Sequence, residues 1–219
     1  MPRVKIPRKS TTVDMTAMCD VAFLLLSFFI LATKQKPPEV LSVQVPNSIS
    51  SKAAPEKAMI FTLTKEGKTF LTLGDETKKQ EILENVNLTK NLGLSPAEIS
   101  KWSKMEFVGV PFNQVKGLIA LGSAPNPAQL PGIPIDSSNN ELIDWVKSIT
   151  NVYAGTDQKA LQEMMLIKGD NEALYPKFKA IKQAFTKNEL YKFRVITNGT
   201  PVPVGSELYN NSVGQPKGL

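Results

Sequence analysis

MTAMCDVAFLLLSFFILAT, running from Met15 to Thr33, decides how this chain of 219 residues is organised. Its 19 residues make a helix of about 28 Å, close to the ~30 Å hydrocarbon thickness of a bilayer. It contains no Pro or Gly, and Asp20 is its only charged residue. Just before it, Arg3, Lys5, Arg8 and Lys9 come with no acid. The positive-inside rule therefore places the N-terminus in the cytoplasm and the remainder across the membrane, with Lys34 and Lys36 as a weaker opposing signal. A cleaved signal peptide is the alternative. Against it, Ile30-Leu31-Ala32-Thr33 lacks the small-residue pattern of a cleavage site, and the basic start would carry two acids. The segment is expected to be an uncleaved anchor.

A carboxylate at the position of Asp20 costs roughly 2.5–3.5 kcal/mol on insertion scales. A plain anchor gains nothing from it. Desolvation disfavours the charged form of a carboxylate, so a residue placed this way is a candidate proton carrier. The competing reading is an assembly residue that only holds helices together. Thr16 and Ser27 fall on the same helical face as Asp20, giving one polar stripe, and Cys19 reads as a small apolar filler.

Composition removes whole classes of chemistry. There are 26 Lys+Arg against 20 Asp+Glu, a net +6, with no His and one Cys. Without His there is no His-dependent nucleophile, metal site or pH switch. One Cys allows neither an intrachain disulfide nor a Cys-rich zinc site. No metal, no cofactor and no enzymatic activity is expected. Four of the six net charges sit in the first nine residues, and beyond residue 36 bases and acids read as interleaved on a solvated surface. No nucleic-acid partner is expected.

Past the anchor, Lys36-Pro-Pro-Glu39 ends the helix. Residues 40–46 alternate apolar with polar and suit an extended, strand-forming segment able to pair with a sheet edge. Asn47–Pro55 reads as a polar linker. Met59–Thr64 and Thr69–Leu73 are strand-like runs joined by Lys65-Glu66-Gly67-Lys68, a hairpin signal. Glu76–Asn91 reads as helical, and Ser95-Pro96-Ala97-Glu98 is a capping box that starts a short helix. Residues 107–137, with five prolines, read as loop. A second capping box is expected at Ser138–Glu141, ahead of a helix with Leu142, Trp145, Val146 and Ile149 on its apolar face, and Asp157–Leu161 as the start of another. Met164–Lys168, a helix opened by Pro176, and Phe193–Thr197 form a strand–helix–strand unit suited to a parallel crossover, closed by a turn at Asn198-Gly199. Trp102 and Trp145 read as core. Asp170 reads as a turn or cap residue and Tyr175 as half-buried packing.

The run Val13-Asp14-Met15-Thr16-Ala17-Met18-Cys19-Asp20-Val21 and the Leu/Phe-rich stretch after it resemble the start of the ExbD/TolR family. Thr16, Asp20 and Val21 match the family pattern, while Asp14 stands where the family has Asn and Ala17 where it has Pro. Leu41-Ser-Val-Gln-Val-Pro46 resembles the family's extended periplasmic segment. Leu166-Ile-Lys-Gly-Asp170, Tyr175 and Phe193–Ile196 resemble its strand–Asp–Tyr–helix–strand unit.

The resemblance implies an α+β organisation. A single N-terminal transmembrane helix is followed by a small α/β periplasmic domain, a β-hairpin plus a βαβ unit, carrying a mainly helical insertion. The expected boundaries are 1–14 for the cytoplasmic N-terminus, 15–33 for the span and 34–57 for the linker. The periplasmic domain then covers 58–199 with an insertion at 75–160, and 200–219 is a flexible tail. The resemblance further implies a motor subunit of the bacterial inner membrane, with Asp20 carrying protons. An ExbB-like multi-span protein, a TonB-like protein and a second copy of the chain are the implied partners. Leu41, Val43, Val45, Pro46, Asp170 and Tyr175 are the implied partner-contacting residues. The rival readings are a TolR-like role in envelope integrity, another proton-driven motor, and a membrane-anchored scaffold.

Overall fold

The computed structural model describes residues 15–32, 41–49, 52–122, 126–136, 139–155, 158–207 and 209. The basic cluster at residues 3–9, the Lys36–Glu39 helix stop, Ser138, Asp157 and the tail beyond 209 lie outside the described residues. Two compact units divide the chain, Met1–Glu39 and Val40–Leu219.

Among the described residues, the first unit is one helix, α1 (Met15–Ala32), without a buried residue. The second is built on a sheet whose hairpin forms where alternation places it. β2 (Met59–Leu63) and β3 (Thr69–Leu73) are antiparallel, with Met59 opposite Leu73. In the connecting turn Gly67 takes φ +80, a conformation L side chains resist, and donates its N–H to Thr64 O at 3.0 Å. β4 (Met165–Gly169) pairs parallel with β2, and β5 (Arg194–Val195) parallel with β4, giving the order β3-β2-β4-β5. The expected strand Phe193–Thr197 is thus reduced to two paired residues at the sheet edge.

Between β4 and β5 runs α7 (Tyr175–Lys187), with Pro176 in its first turn where a missing N–H costs nothing. Its Phe185 meets Phe61 of β2 edge-on at 4.8 Å. Residues 59, 61 and 63 share one face of β2 by strand alternation, and all three are fully buried. Behind α7 stands α5 (Leu142–Val152), then α2 (Glu76–Lys90), α3 (Pro96–Ser103) and α4 (Val115–Leu121), each packed on its predecessor. The remaining short helix, α6 (Gln158–Met164), leads straight into β4. The α3 capping box closes as expected, Ser95 Oγ accepting from Glu98 N–H while Glu98 Oε2 accepts from Ser95 N–H at 2.8 Å.

Several expectations change. Residues 112–121 are helical, because Val115, Leu118 and Ile119 present one buried face to α3. The expected capping box before α5 gives way to Glu141 itself at the N-cap, its Oε2 accepting the Phe112 N–H at 2.8 Å from 29 residues away. The insertion also has a job at the sheet edge. Leu71 and Val108 exchange both backbone hydrogen bonds at 2.8 Å, and Ile133 N–H reaches Thr69 O. The outer side of β3 is thereby closed to pairing with other chains. Trp102, Trp145 and Phe112 form the aromatic centre of the helical layer, with Phe112 stacked on Trp145 at 5.6 Å.

A buried polar link joins α2 to the end of α5. Asp75 caps α2, and Tyr153 Oη donates to its Oδ2 at 2.9 Å, with Lys57 Nζ at 3.7 Å. Burial pushes the Asp75 carboxyl upward, but hydrogen bonds from Thr77 and Tyr153 and the Lys57 charge outweigh it and hold the group below its ordinary 3.8. Burial, then the bond to Asp75, pushes the Tyr153 phenol well above its ordinary 10.0. The lowered Asp75 therefore stabilises the fold above about pH 4 and loses this contribution as pH falls through its folded-state value. The raised Tyr153 stabilises below about pH 10 and loses its contribution as pH rises toward its folded-state value. Tyr153→Phe is expected to cost about 1–2 kcal/mol at neutral pH and to flatten the alkaline loss of stability, both read from thermal melts at neutral pH and above pH 10.

Candidate functional site

α1 has 18 residues, enough by length and composition to cross a membrane. Every side chain on it is exposed except Ser27, which is half covered. Phe23, Leu24, Phe28, Phe29 and Ile30 each show about 60% or more of their surface, an exposed apolar patch of the kind that marks a membrane or protein interface. At 100° per residue Thr16, Asp20 and Ser27 fall within about 40° of one another around the axis. The three residues therefore lie on one face of α1, with its single carboxylate nearer the N-terminal end. No charged group other than Asp20 lies in α1, and Cys19 beside it is a free thiol. Among the described residues no cluster of His, Cys, Asp or Glu is arranged to hold a metal.

The second set of expected residues lies on the folded unit. Residues 41–46 are extended with the expected alternation, Leu41 buried, Val43, Val45 and Pro46 half-buried, Ser42 and Gln44 exposed. Their ladder forms slightly later, at β1 (Asn47–Ser48), which pairs parallel with β6 (Asn198–Gly199). Asn198-Gly199 is a strand where a turn is expected, and Asn47–Ser48 a strand within the expected linker. Asp170 is the clasp of this arrangement. Its Oδ2 accepts Gln44 N–H at 3.0 Å and its Oδ1 accepts Glu172 N–H at 3.0 Å, while Asn171 N–H donates to Gln44 O at 2.7 Å.

Two further anchors escape a sequence reading. Lys168, only 7% exposed at the end of an apolar strand, donates to Leu41 O at 3.3 Å. Asn198 donates its backbone N–H to Pro46 O and its side chain to Val45 O. A charge closing an otherwise apolar strand was the available signal for Lys168. Replacing Asp170 by Ala removes two charge-assisted bonds to backbone N–H groups, and a loss of about 1–2 kcal/mol is expected for this exposed clasp. Faster amide exchange at Gln44, with the β2–β3 hairpin unchanged, is the measurement.

The structure brings Leu41, Val43 and Asp170 together around a cavity of about 580 Å³ that also meets Thr64, Lys68 and Phe70. Tyr175 is elsewhere. It is 69% exposed, in contrast to the half-buried packing residue expected, because it opens α7 on the side facing away from the core. It borders a different concavity of about 680 Å³ with Lys179, Gln183 and Asp136.

A family model described as biopolymer transport protein ExbD/TolR matches residues 7–108. The match contains α1, the extended segment, the hairpin, α2 and α3, and ends at Val108, the residue bonded to β3. It takes in residues 75–108, which the sequence reading puts in the insertion, and stops before β4 and α7. No curated protein and no solved structure matches the chain.

Proposed function

Because residues 7–108 match the model of the ExbD/TolR family of biopolymer transport proteins, we propose that the chain is a member of that family and the energy-transducing subunit of a proton-driven inner-membrane motor. The observation that carries this reading is Asp20, the one charge on an 18-residue apolar helix, set in a polar stripe with Thr16 and Ser27. The helix sits against an ExbB-like multi-span partner, with the N-terminal Arg3, Lys5, Arg8 and Lys9 in the cytoplasm and the unit from Val40 onward in the periplasm. Asp20 takes up a proton from one side and releases it to the other. Charged, it seeks water or a polar partner; neutral, it tolerates an apolar wall. The change of seat turns or shifts α1, and the chain passes that movement to the periplasmic unit. About 2.3 kcal/mol per 100 mV is available for each proton, besides any pH gradient. That is comparable with the cost of undoing a few hydrogen bonds such as those at Asp170.

A homodimer engaging a TonB-like protein, and through it outer-membrane transporters, follows from the same reading. A TolR-like role in envelope integrity uses the same device with another periplasmic partner, and a non-motor scaffold keeps the partner but moves no proton. Purification of the native complex with mass spectrometry of its subunits tests the proposal. A multi-span partner present in stoichiometric amount, with a TonB-like protein in substoichiometric amount, is the expected result. A chain that purifies without any membrane partner overturns it.

A further inference from the structure

Charge on the folded unit is not interleaved as the composition implies. Residues 41–157 hold 11 bases and 12 acids. Residues 175–194 hold Lys177, Lys179, Lys182, Lys187, Lys192 and Arg194 against one acid, Glu189. α7 alone carries four lysines and no acid. Its buried residues Ile181, Ala184 and Phe185 define the inner side. At 100° per residue Tyr175, Lys179, Lys182, Gln183, Thr186 and Lys187 fall opposite, and all six are exposed. Lys177, in the first turn on the inner side, pairs with Asp136 at 2.7 Å, so the acid bordering the outer face is already engaged. Leu174 and Tyr175, exposed by 66% and 69%, lie at one end of the face. Glu172, two residues before Leu174, is an exposed acid at that end.

The chain enters the unit at the same end. Leu41 and Gln44 are held by Lys168, Asp170 and Asn171, the strand end and turn that lead directly into Leu174. Only residues 33–40 separate Ala32 of α1 from Leu41, and covalent geometry limits that stretch to roughly 30 Å. Any surface the unit presents is therefore kept at high effective concentration next to the bilayer.

We propose that the outer face of α7 docks on anionic lipid headgroups of the bilayer that α1 spans. Lysines on flexible stems supply the attraction to phosphate, and exposed Leu174 and Tyr175 supply the apolar and aromatic contacts suited to the interfacial zone. Docking parks the periplasmic unit on the membrane, so that a protein partner must displace lipid to recruit it. The inference rests on α1 being a membrane span and is independent of the role of Asp20.

The test uses the full chain in proteoliposomes, with Cys19→Ser and a nitroxide attached through Gln183→Cys. Carbonate-resistant retention checks the anchor separately. In vesicles containing phosphatidylglycerol the label is expected to be shielded from a water-soluble nickel chelate, and in phosphatidylcholine alone it is expected to be accessible. Each lysine removed in K179Q/K182Q/K187Q is expected to lower the docked-to-free ratio about fivefold, on the order of 100-fold for all three. Unchanged thermal melts show that the fold is intact. Equal accessibility in both lipids overturns the proposal, as does shielding that survives the triple substitution. Shielding that appears only when a partner complex is co-reconstituted overturns it in favour of an acidic protein surface.

Discussion

Asp20→Asn is expected to abolish proton flux through the assembled complex, a fall on the order of 10²-fold or more, while the chain remains inserted and folded. Asparagine has nearly the same shape but no ionisable carboxyl, so packing survives and titration does not. Insertion itself becomes easier, because the roughly 2.5–3.5 kcal/mol cost of a carboxylate at that depth disappears. Asp20→Glu keeps the chemistry and moves the carboxyl outward by one methylene, so partial flux is expected. Thr16 and Ser27, on the same face, offer polar company along the path without titrating near neutral pH, and their replacement by Ala is expected to slow flux less than Asp20→Asn does. The measurement is acidification of vesicles containing the complex, followed with an entrapped pH-sensitive dye. Unchanged flux with Asn at position 20 would leave the residue as a helix-assembly contact and remove the motor reading.

Trp145→Ala is expected to lower the stability of the folded unit by about 3–5 kcal/mol. Trp145 is fully buried and stands between Trp102 at 5.7 Å and Phe112 at 5.6 Å. Truncation opens a cavity at the point where α5 meets the rest of the helical layer. For a unit of this size the loss corresponds to a fall in melting temperature of roughly 6–20 °C. A single transition that shifts as a whole identifies the insertion helices and the sheet as one cooperative body, consistent with their shared apolar core. Two transitions, with only the first shifted, would instead mark the helical layer as a separately unfolding region. Thermal melts by circular dichroism of the full chain in detergent decide between these.

Elements whose cause is local were legible. Alternation over Met59–Leu63 and Thr69–Leu73, Gly67 between them, the Ser95–Glu98 box and Pro176 at a helix start each act within a few residues. Trp102 and Trp145 were legible as core, since large aromatics at helical spacing have few other fates. α4 was not, because its seven residues include Gly117 and lie between Pro111 and the proline-rich stretch from Pro125 to Pro134. A helix that short is made by the surface it packs on rather than by propensity. Tyr175 was misplaced for a similar reason. Aromatic character points inward on average, but its position opposite the buried Ala184 on α7 points it out. In the candidate site, Asp20 was readable because a lone carboxylate in an apolar run is anomalous by itself. The clasp at Asp170 was readable only as a turn residue, since the half of its bonding that reaches Gln44 spans 126 residues.

The membrane span, its single carboxylate and the hairpin are therefore properties of the sequence alone, because length, hydropathy and alternation are written in consecutive residues. Closure of the β3 edge by Val108, docking of residues 41–48 onto Lys168, Asp170 and Asn198, and the unbroken basic face of α7 were decided by the tertiary structure. Each joins groups far apart in the chain, or depends on which side of a helix is buried. One-dimensional counting had averaged the lysines of α7 with acids elsewhere in the same unit. Only packing Ile181, Ala184 and Phe185 inward turned them into a surface of one sign.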